Sequence, residues 1–327
     1  MFIYPIASCF IAILTIAVML GLKRSLPLDH PNDRSLHETP TPRTGGLAIM
    51  LGAGCGWALI WPSSIQLLMI ILLALSLSAF CFFDDLWGLT RTLRIIIHMA
   101  VAAILIGLIH NQADSDFVSA FALVAVVWMT NVYNFMDGAD GLAGGMAIIG
   151  FGFFALAAYQ GGMPEFGAIA ASIASASAGF LWFNFNPAQI FMGDAGSVPL
   201  GFLAAALGLA GWQDGLWPAP FPILVFSPFI VDATVTMANR ALSGEKFWLA
   251  HRDHYYQRLI RMGLGHRYTS LLEYGLMLAS GVTALLIREA SVTVQLFAII
   301  GWIVAYGYIM YFIDKVWERH SKGHPTA

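Results

Sequence analysis

Eleven apolar runs, separated by polar segments, constrain the fold of this chain more than any other feature. They lie near residues 3–22, 45–62, 66–83, 95–110, 117–133, 142–160, 165–183, 197–213, 219–238, 270–287 and 293–313. A helix that crosses a bilayer needs roughly 17–25 predominantly apolar residues. Only 11% of the 327 residues are charged, against about 25% in soluble domains. The pattern therefore predicts an all-α polytopic membrane protein of about eleven transmembrane helices, forming one integral membrane domain over residues 1–327.

The basic residues predict how these helices are oriented. All but one of the 16 Lys and Arg residues fall in loops 23–44, 84–94 and 239–269 or in the C-terminal tail, and Arg288 is the exception. With eleven spans these loops and the tail share one side, and basic residues near span ends favour the cytoplasm. We therefore expect the N-terminus outside and the C-terminus in the cytoplasm. The first run has no basic residues before it, so it is expected to be a retained span rather than a cleaved signal peptide.

Four polar clusters interrupt the apolar sequence, and all of them fall on the side predicted to be cytoplasmic. They are "FFDDLWGL" (82–89), "NVYNFMDGADGLAGG" (131–145), "FNFNPAQIFMGDAGS" (183–197) and "HRDHYYQRLIRMG" (251–263). They place cytoplasmic catalytic loops near 23–44, 84–94, 134–141, 184–197 and 239–269. A transporter would more often carry ionisable residues in mid-span, along a path through the membrane. The one-sided distribution favours an enzyme that works from the cytoplasm, and a net charge of −3 gives no support for nucleic-acid binding.

The acidic clusters have both a structural and a chemical interpretation. Asp84 and Asp85 are adjacent carboxylates at the end of an apolar run, which fits either an interfacial polar pair or a metal site or base. Asp194 stands between glycines just before another run. A carboxylate on such a turn suits Mg²⁺, which binds one or two carboxylates together with substrate phosphates; a capped turn is the alternative.

The "NVYNFMDGADGL" segment is the richest of the four. Asn131, Asn134 and Asp137 are spaced i, i+3 and i+6, so they share a face if the helix continues through them. Asp140 follows, and the neighbouring glycines allow the backbone to approach a ligand closely. Ordinary turn formation by the two Asp-Gly pairs is the alternative. A calcium loop fits poorly, because the third position is Ala139.

The segment 239–269 adds cations and imidazoles, among them His251, Arg252 and His254. Such groups opposite acidic metal ligands are what a nucleoside diphosphate requires. Binding of anionic lipid head groups would explain the arginines but not the paired histidines. Arg43, in the turn "TPRTGG" (41–46), is a further candidate phosphate contact. Asp232 lies inside the ninth run and is expected to have a structural or supporting role.

In their order along the chain, these segments resemble the polyprenyl-phosphate N-acetylhexosamine-1-phosphate transferases, which form glycosyltransferase family 4. The family includes the bacterial enzymes that start O-antigen on undecaprenyl phosphate and the phospho-N-acetylmuramoyl-pentapeptide transferase of peptidoglycan synthesis. The resemblance implies transfer of an N-acetyl-sugar-1-phosphate from a UDP-sugar to undecaprenyl phosphate, with release of UMP, at the cytoplasmic face of the bacterial inner membrane. It implies Mg²⁺ as the cofactor, with Mn²⁺ as a substitute, and it is compatible with a homodimer.

The resemblance also assigns roles to individual residues. It implies that Asp194 is a metal ligand with Asn134 beside the metal, and that one of Asp84 and Asp85 is a base toward the lipid phosphate. It also implies that the acidic positions near the nucleotide are Asp137 and Asp140, and that the residues of the "HRDH" motif that contact the donor are His251, Arg252 and His254. Apart from the resemblance, the sequence offers Arg43 and Asn131 as further substrate contacts.

Two departures from the peptidoglycan enzyme narrow the expected donor. That enzyme has a triple-histidine motif where this chain reads "HRDH", and it has a lysine a few residues beyond the aspartate pair, where this chain reads "DDLWGLTR". These differences favour the branch that starts O-antigen-type glycans of lipopolysaccharide, some of which use deoxygenated N-acetyl sugars. Peptidoglycan-type transfer, a transporter of lipid-linked sugars and a lipid-phosphate phosphatase are the alternatives.

Overall fold

A computed structural model describes residues 3–22, 26–29, 31, 36, 39–109, 115–246, 249 and 251–323. Thirteen α-helices make up almost all of the regular structure of these residues. They are α1 (Ile3–Gly21), α2 (Gly45–Ile60), α3 (Ile65–Trp87), α4 (Arg91–Ile109), α5 (Asp116–Phe135), α6 (Leu142–Gln160), α7 (Pro164–Asn184), α8 (Asp194–Gln213), α9 (Pro220–Val225), α10 (Ser227–Leu242), α11 (Tyr255–Leu259), α12 (Gly265–Ile287) and α13 (Val292–Gly323). A π-helical turn, Ile260–Leu264, joins α11 to α12.

The all-α polytopic membrane fold is confirmed. Within the described ranges, nine helical segments are long and apolar enough to cross a membrane, and Tyr255–Ile287 counts as one of them. The two remaining predicted spans also coincide with helices, but one of these, α2, has only 16 residues. The other is broken into α9 and α10 at Phe226, two residues before Pro228, which lacks the amide hydrogen that a continuous helix would use.

Several predicted loops are partly helical. The aspartate pair lies in the last turn of α3, and α4 already begins at Arg91, so only a short connection remains of the predicted loop 84–94. Helix α5 continues through Asn134 to Phe135, and α8 begins at Asp194, three residues earlier than the apolar run indicated. The predicted loop 239–269 contains the end of α10, all of α11 and the start of α12. Polar residues are included in these helices because their side chains form hydrogen bonds and ion pairs with one another at this end of the bundle. The predicted loop 23–44 lies only partly within the described residues.

Helices α6, α7 and α8 form the centre of the bundle, and α1 and α13 lie at its edge with most of their apolar side chains exposed. Two short strands, β1 (Leu28–Asp29) and β2 (Thr41–Pro42), pair antiparallel before α2 begins. An exposed apolar surface of this kind is stable only in lipid, where every backbone group of a helix is satisfied internally.

Close backbone contacts fix the start of α2 against the start of α8. The amides of Gly45 and Gly46 donate to the carbonyls of Phe191 (2.9 Å) and Met192 (2.8 Å). A Cβ atom on Gly46 would lie 2.2 Å from the backbone nitrogen of Gly196, so only glycine permits this approach. The "TPRTGG" turn is thereby joined to the "FMGDAGS" segment, and Arg43 is delivered to the end of α3.

Candidate active site

Asp194 is the centre of the polar cluster at this end of the bundle. Its Oδ1 accepts a hydrogen bond from Asn134 Nδ2 (2.8 Å), and its Oδ2 accepts one from Arg94 Nη1 (3.0 Å). Asn134 Nδ2 also donates to Ser197 Oγ (2.9 Å). The Asp194 side chain remains 29% exposed. Three helices, α4, α5 and α8, therefore converge on a single accessible carboxylate.

The amide of Asn134 faces Asp194 with its nitrogen. A carboxylate can only accept hydrogen bonds, so the amide nitrogen, and not the oxygen, must point toward Asp194. In this orientation Asn134 holds the Asp194 carboxylate in place. Asn134 was expected to lie beside a metal that Asp194 binds, and its position next to Asp194 is compatible with that expectation. Its nitrogen faces the carboxylate, so its oxygen is not directed to the same place as the Asp194 oxygens.

Arg94 is a functional candidate that the sequence motifs do not reveal. In the sequence it is only one of the basic residues that predict how the helices are oriented in the membrane. Its Nε forms an ion pair with Asp84 Oδ2 (2.5 Å), and its Nη1 reaches Asp194, so one guanidinium joins α3 to α8. A cation in the first turn of a helix is unfavourable with respect to the helix dipole. The charge of an arginine at such a position has to be compensated by carboxylates, and here Asp84 and Asp194 supply them.

The two adjacent aspartates point to different partners, because neighbouring residues on a helix do not face each other. Asp84 is only 2% exposed, and its Oδ1 also accepts from the backbone amide of Leu89 (2.7 Å). Asp85 Oδ1 lies 3.4 Å from Arg43 Nη2, which also donates to the Asp85 carbonyl (3.2 Å). The structure thus brings Arg43 to the aspartate pair.

Asp137 belongs to the same cluster. It follows α5, its carboxylate accepts a hydrogen bond from the backbone of Gly193, and it lies close enough to Asp194 for their charges to interact. Burial raises the pKa of Asp137 well above its usual range, and the Asp194 charge raises it further. Asp137 is thus the carboxyl of this cluster most disposed to carry a proton.

Asp140 has a different set of partners. Its Oδ2 accepts from Asn186 Nδ2 (2.8 Å) and from the backbone amide of Ala188 (3.1 Å), and its Oδ1 lies 3.5 Å from His266 Nδ1. These contacts hold the loop that precedes Asp194 against the start of α12. The structure therefore places Asp140 in the support of the site and does not bring its carboxylate to Asp194.

Asn131 lies on the same face of α5 as Asn134, one turn deeper in the bundle. Its Nδ2 donates to the carbonyl of Val127 (2.7 Å), four residues earlier in the same helix. One N–H of the amide is therefore occupied within α5, and the second N–H and the oxygen are left for another partner. The expected role of Asn131 as a substrate contact gains no support from this bond.

The "HRDH" motif is positioned by Asp232, which is 5% exposed in α10. The Asp232 carboxylate accepts from the backbone amides of Tyr255 and Tyr256, both at 3.0 Å, and lies 3.1 Å from His254 Nδ1. It caps the start of α11 and fixes the imidazole ring of His254 at the same time. The expected supporting role of Asp232 agrees with these contacts.

His251 stacks on His254 with ring centroids 4.9 Å apart. Burial, with His254 and Arg240 as further causes, lowers the pKa of His251 to about 4. His251 is therefore neutral at physiological pH. Arg240 forms an ion pair with Asp253, and the carbonyl of Arg252 accepts from Arg261 Nη1 (3.1 Å).

One contact connects the histidines to the acidic cluster. The hydroxyl of Tyr256 donates to the carbonyl of Phe135 (3.2 Å), and a Cβ atom on Gly138 would lie 2.2 Å from that hydroxyl oxygen. The turn that carries Asp137 is thereby packed against α11. The sequence-predicted residues thus form two neighbouring groups, one acidic and one imidazole-rich, joined by residues 135–138.

The donor set fits a divalent cation that completes its coordination elsewhere. Among the described residues, no group of three His, Cys, Asp or Glu side chains is arranged to hold a metal ion. Mg²⁺ is commonly held by one or two carboxylates, while waters and substrate phosphates supply the other oxygens. Asp194, accessible and fixed at both oxygens, could serve in this way, with the carboxylates of Asp84 and Asp85 nearby.

Comparison with known proteins agrees with this geometry. The family model of glycosyl transferase family 4 matches residues 67–211, which include the aspartate pair, Arg94, Asn134, Asp137 and Asp194. A probable undecaprenyl-phosphate N-acetylglucosaminyl 1-phosphate transferase of Bacillus subtilis is 28% identical over 320 residues, covering 90% of this chain and 88% of the relative.

Two further relatives represent other branches. A decaprenyl-phosphate N-acetylglucosaminephosphotransferase of Mycobacterium leprae is 27% identical, covering 75% of this chain and 73% of the relative. A phospho-N-acetylmuramoyl-pentapeptide-transferase of Staphylococcus saprophyticus is 27% identical, covering 69% of this chain and 78% of the relative.

Proposed function

We propose that this chain is a polyprenyl-phosphate N-acetylhexosamine-1-phosphate transferase, a proposal supported by the family-model match and by the similar proteins described above. The donor is a UDP-N-acetyl sugar, the acceptor is undecaprenyl phosphate, and the products are UMP and an undecaprenyl-diphosphate sugar. This product starts a lipid-linked glycan of the O-antigen type. The reaction takes place at the cytoplasmic face of the inner membrane, a location supported by the basic residues near the same ends of the predicted spans.

The observation that carries the proposal is the meeting of three carboxylates and two guanidiniums at one end of the bundle. An oxygen of the lipid phosphate attacks the phosphorus that bears the sugar, the bond from that phosphorus to the bridging oxygen breaks, and UMP leaves. Both reactants are anions, so the site must lower their mutual repulsion. Arg43 and Arg94 are placed to do so, and their planar guanidiniums match the geometry of phosphate oxygens.

The charge of the cluster favours a divalent cation as a partner. Asp84, Asp85 and Asp194 face the guanidiniums of Arg43 and Arg94, which leaves one uncompensated negative charge. Such a site repels a diphosphate. A bound Mg²⁺ would supply charge for the developing negative charge on the leaving UMP, and Asp194 would hold it.

The two adjacent aspartates have different roles in this scheme. Both oxygens of Asp84 are occupied, one by the Leu89 amide and one by Arg94, so Asp84 holds Arg94 in place. Asp85 forms an ion pair with Arg43 through Oδ1, and its other oxygen is left to accept a proton from the lipid phosphate. Asp85 is therefore the candidate base. Trapping a phosphosugar on either aspartate would replace this direct scheme by a covalent one.

The test is release of UMP by purified protein in detergent with undecaprenyl phosphate and a panel of UDP-N-acetyl sugars that includes UDP-N-acetylmuramoyl-pentapeptide. We expect UMP only when lipid, divalent cation and one N-acetylhexosamine donor are all present. Asp194→Asn should fold and insert normally but lose the activity. Use of the muramoyl-pentapeptide donor alone would overturn the O-antigen-type assignment. UMP release without a divalent cation would overturn the metal requirement.

A further inference from the structure

The last helix, α13, is longer than a membrane crossing requires, and the reaction scheme above does not use its C-terminal end. It runs for 32 residues, from Val292 to Gly323, which is about 48 Å at about 1.5 Å per residue. The hydrocarbon core of a bilayer is only about 30 Å thick. Asp314 lies about 33 Å along the helix from Val292, and from there the sequence reads "DKVWERHSKG". This polar end of α13 therefore projects beyond the hydrocarbon core.

Asp314 connects α13 to the short helix α11. Its Oδ1 accepts a hydrogen bond from Arg258 Nη1 (2.7 Å), and its Oδ2 accepts one from the hydroxyl of Tyr255 (3.2 Å). The guanidinium of Arg258 also lies over the ring of Tyr255, 4.9 Å from its centroid. The Asp314 side chain is 41% exposed, and an ion pair at this exposure contributes little stability by itself. A carboxylate held at both oxygens does, however, fix the direction of the helix that holds it.

Trp317 makes a second connection, three residues farther along α13. The guanidinium of Arg261 lies over its ring, 4.7 Å from the centroid, in a cation–π contact. Nη1 of the same guanidinium donates to the carbonyl of Arg252 (3.1 Å). Trp317 thus reaches the backbone of the "HRDH" motif through a single arginine. The bond uses the main chain of Arg252 and not the side chain that was expected to contact the donor.

The "HRDH" motif is therefore held from two sides. Asp232 of α10 accepts from the amides of Tyr255 and Tyr256 on one side, and α13 supplies the contacts on the other. Helix α11 has only five residues, too few for its own hydrogen bonds to keep it in place. Its direction depends on these contacts with α10 and α13. The direction of α11 in turn sets the position of His254, the residue that caps its start.

We propose that Asp314 and Trp317 are positioning residues: they hold α11 and the backbone of Arg252 so that the "HRDH" motif faces the diphosphate of the sugar-nucleotide donor. The inference rests on the proposed function. Neither side chain touches a substrate, and both act through arginines of α11 and of the turn that follows it. The acceptor phosphate is assigned to Arg43 and Asp85, on other helices, so loosening α11 should affect the donor selectively.

The experiment measures UMP release while the donor and the lipid are varied separately. Asp314→Ala and Trp317→Leu each remove one connection, and Trp317→Phe keeps a ring for the arginine. Glu318→Ala is the matched control, since this carboxylate of the same helix pairs with Lys315 of α13 itself (3.6 Å). We expect Asp314→Ala and Trp317→Leu to raise KM for the UDP-sugar by about 10-fold, less than the roughly 100-fold that a 1 Å misplacement can cost. KM for undecaprenyl phosphate and the melting temperature should stay nearly unchanged, and Trp317→Phe and Glu318→Ala should resemble the wild type.

Several outcomes would overturn the inference. A wild-type KM for the donor in both Asp314→Ala and Trp317→Leu would show that α13 does not position the motif. Equal rises of KM for donor and lipid, or the same rise in Glu318→Ala, would show a general effect on the protein. A Trp317→Phe variant as impaired as Trp317→Leu would remove the ring contact as the cause.

Failure of the proposed function has a different signature. If wild-type protein releases no UMP with any donor, the substrates are wrong, and the hold of α13 on α11 is then judged by amide hydrogen exchange of residues 252–261. Faster exchange of this segment in Asp314→Ala than in wild type and Glu318→Ala supports the hold. Equal exchange in all three proteins overturns it.

Discussion

Asp232→Asn should impair both folding and transfer, although Asp232 lies in α10, outside the acidic cluster. In the native protein Asp232 Oδ1 accepts hydrogen bonds from the amide of Tyr255 and the hydroxyl of Thr236, and it contacts Nδ1 of His254. Its Oδ2 accepts a hydrogen bond from the amide of Tyr256. An asparagine has a single side-chain oxygen, and it keeps more of these contacts when that oxygen takes the place of Oδ1. Its NH₂ group then faces the amide hydrogen of Tyr256, and two donors meet in a buried place.

The magnitude follows from these contacts. A buried donor left without an acceptor costs about 1–3 kcal/mol, and the bond to His254 weakens by about 1 kcal/mol when its acceptor loses the charge. The free energy of unfolding should therefore fall by about 2–4 kcal/mol. Because His254 loses its charged acceptor and the start of α11 shifts, kcat should fall by about 100-fold even in the folded fraction.

The assay combines thermal unfolding in detergent with UMP release per folded molecule. Asp253→Asn is the matched control, because Asp253 is the neighbouring carboxylate, is 36% exposed and pairs with Arg240. An exposed pair of this kind contributes less than about 1 kcal/mol. An Asp232→Asn variant that unfolds and turns over like Asp253→Asn would refute the role of Asp232 as the anchor of His254 and α11.

Three other changes have expected outcomes of their own. Gly46→Ala should destabilise the protein by about 1–3 kcal/mol in a thermal melt, because its Cβ would lie 2.2 Å from the Gly196 backbone, whereas Gly54→Ala, with its nearest atom at 4.0 Å, should not. Arg94→Gln should lower UMP release by about 100-fold, while the same change at the exposed Arg91 should leave the rate unaltered. The pKa of His251 is lowered from 6.5 to about 4 in the folded protein. Its contribution to stability is therefore complete above about pH 6.5 and is lost as the pH falls toward 4. The melting temperature of His251→Gln should depend less on pH between these values than that of the wild type, and an unchanged pH dependence would contradict the burial of this imidazole.

The hydropathy of the chain was sufficient to predict the long apolar helices, because burial in lipid is decided by each segment on its own, whereas the short α11 lies in a predicted loop. Every apolar run coincides with a helix, although the run 219–238, which was expected to be one span, is broken at Phe226. Helix ends were harder to predict. Arg91 and Arg94 begin α4 although a cation is unfavourable there, because Asp84 and Asp194 compensate the charge of Arg94 from two other helices.

Residues of the site that depend on distant partners could not be read from their neighbours in the sequence. Arg94 looks in the sequence like any basic residue of a loop, and its role comes from Asp194, which is 100 residues away and in another helix. Asp232 was recognised as a supporting residue because a carboxylate in mid-span is costly anywhere in the chain. A buried charge is thus visible in the sequence, whereas the partner that satisfies it is not.

Asp137 and Asp140 show the same limit within four residues of sequence. Both precede a glycine, and both were assigned to the catalytic group on equal terms. The difference lies in segments about 50 residues farther along, where Asn186 and Ala188 satisfy Asp140, while Gly193 and Asp194 face Asp137. A carboxylate whose oxygens are occupied by protein donors holds a loop in place. A carboxyl with a raised pKa, placed next to an accessible carboxylate, can exchange a proton with a ligand. Of the two, Asp137 is therefore the residue through which the cluster can respond to the charge of a bound substrate.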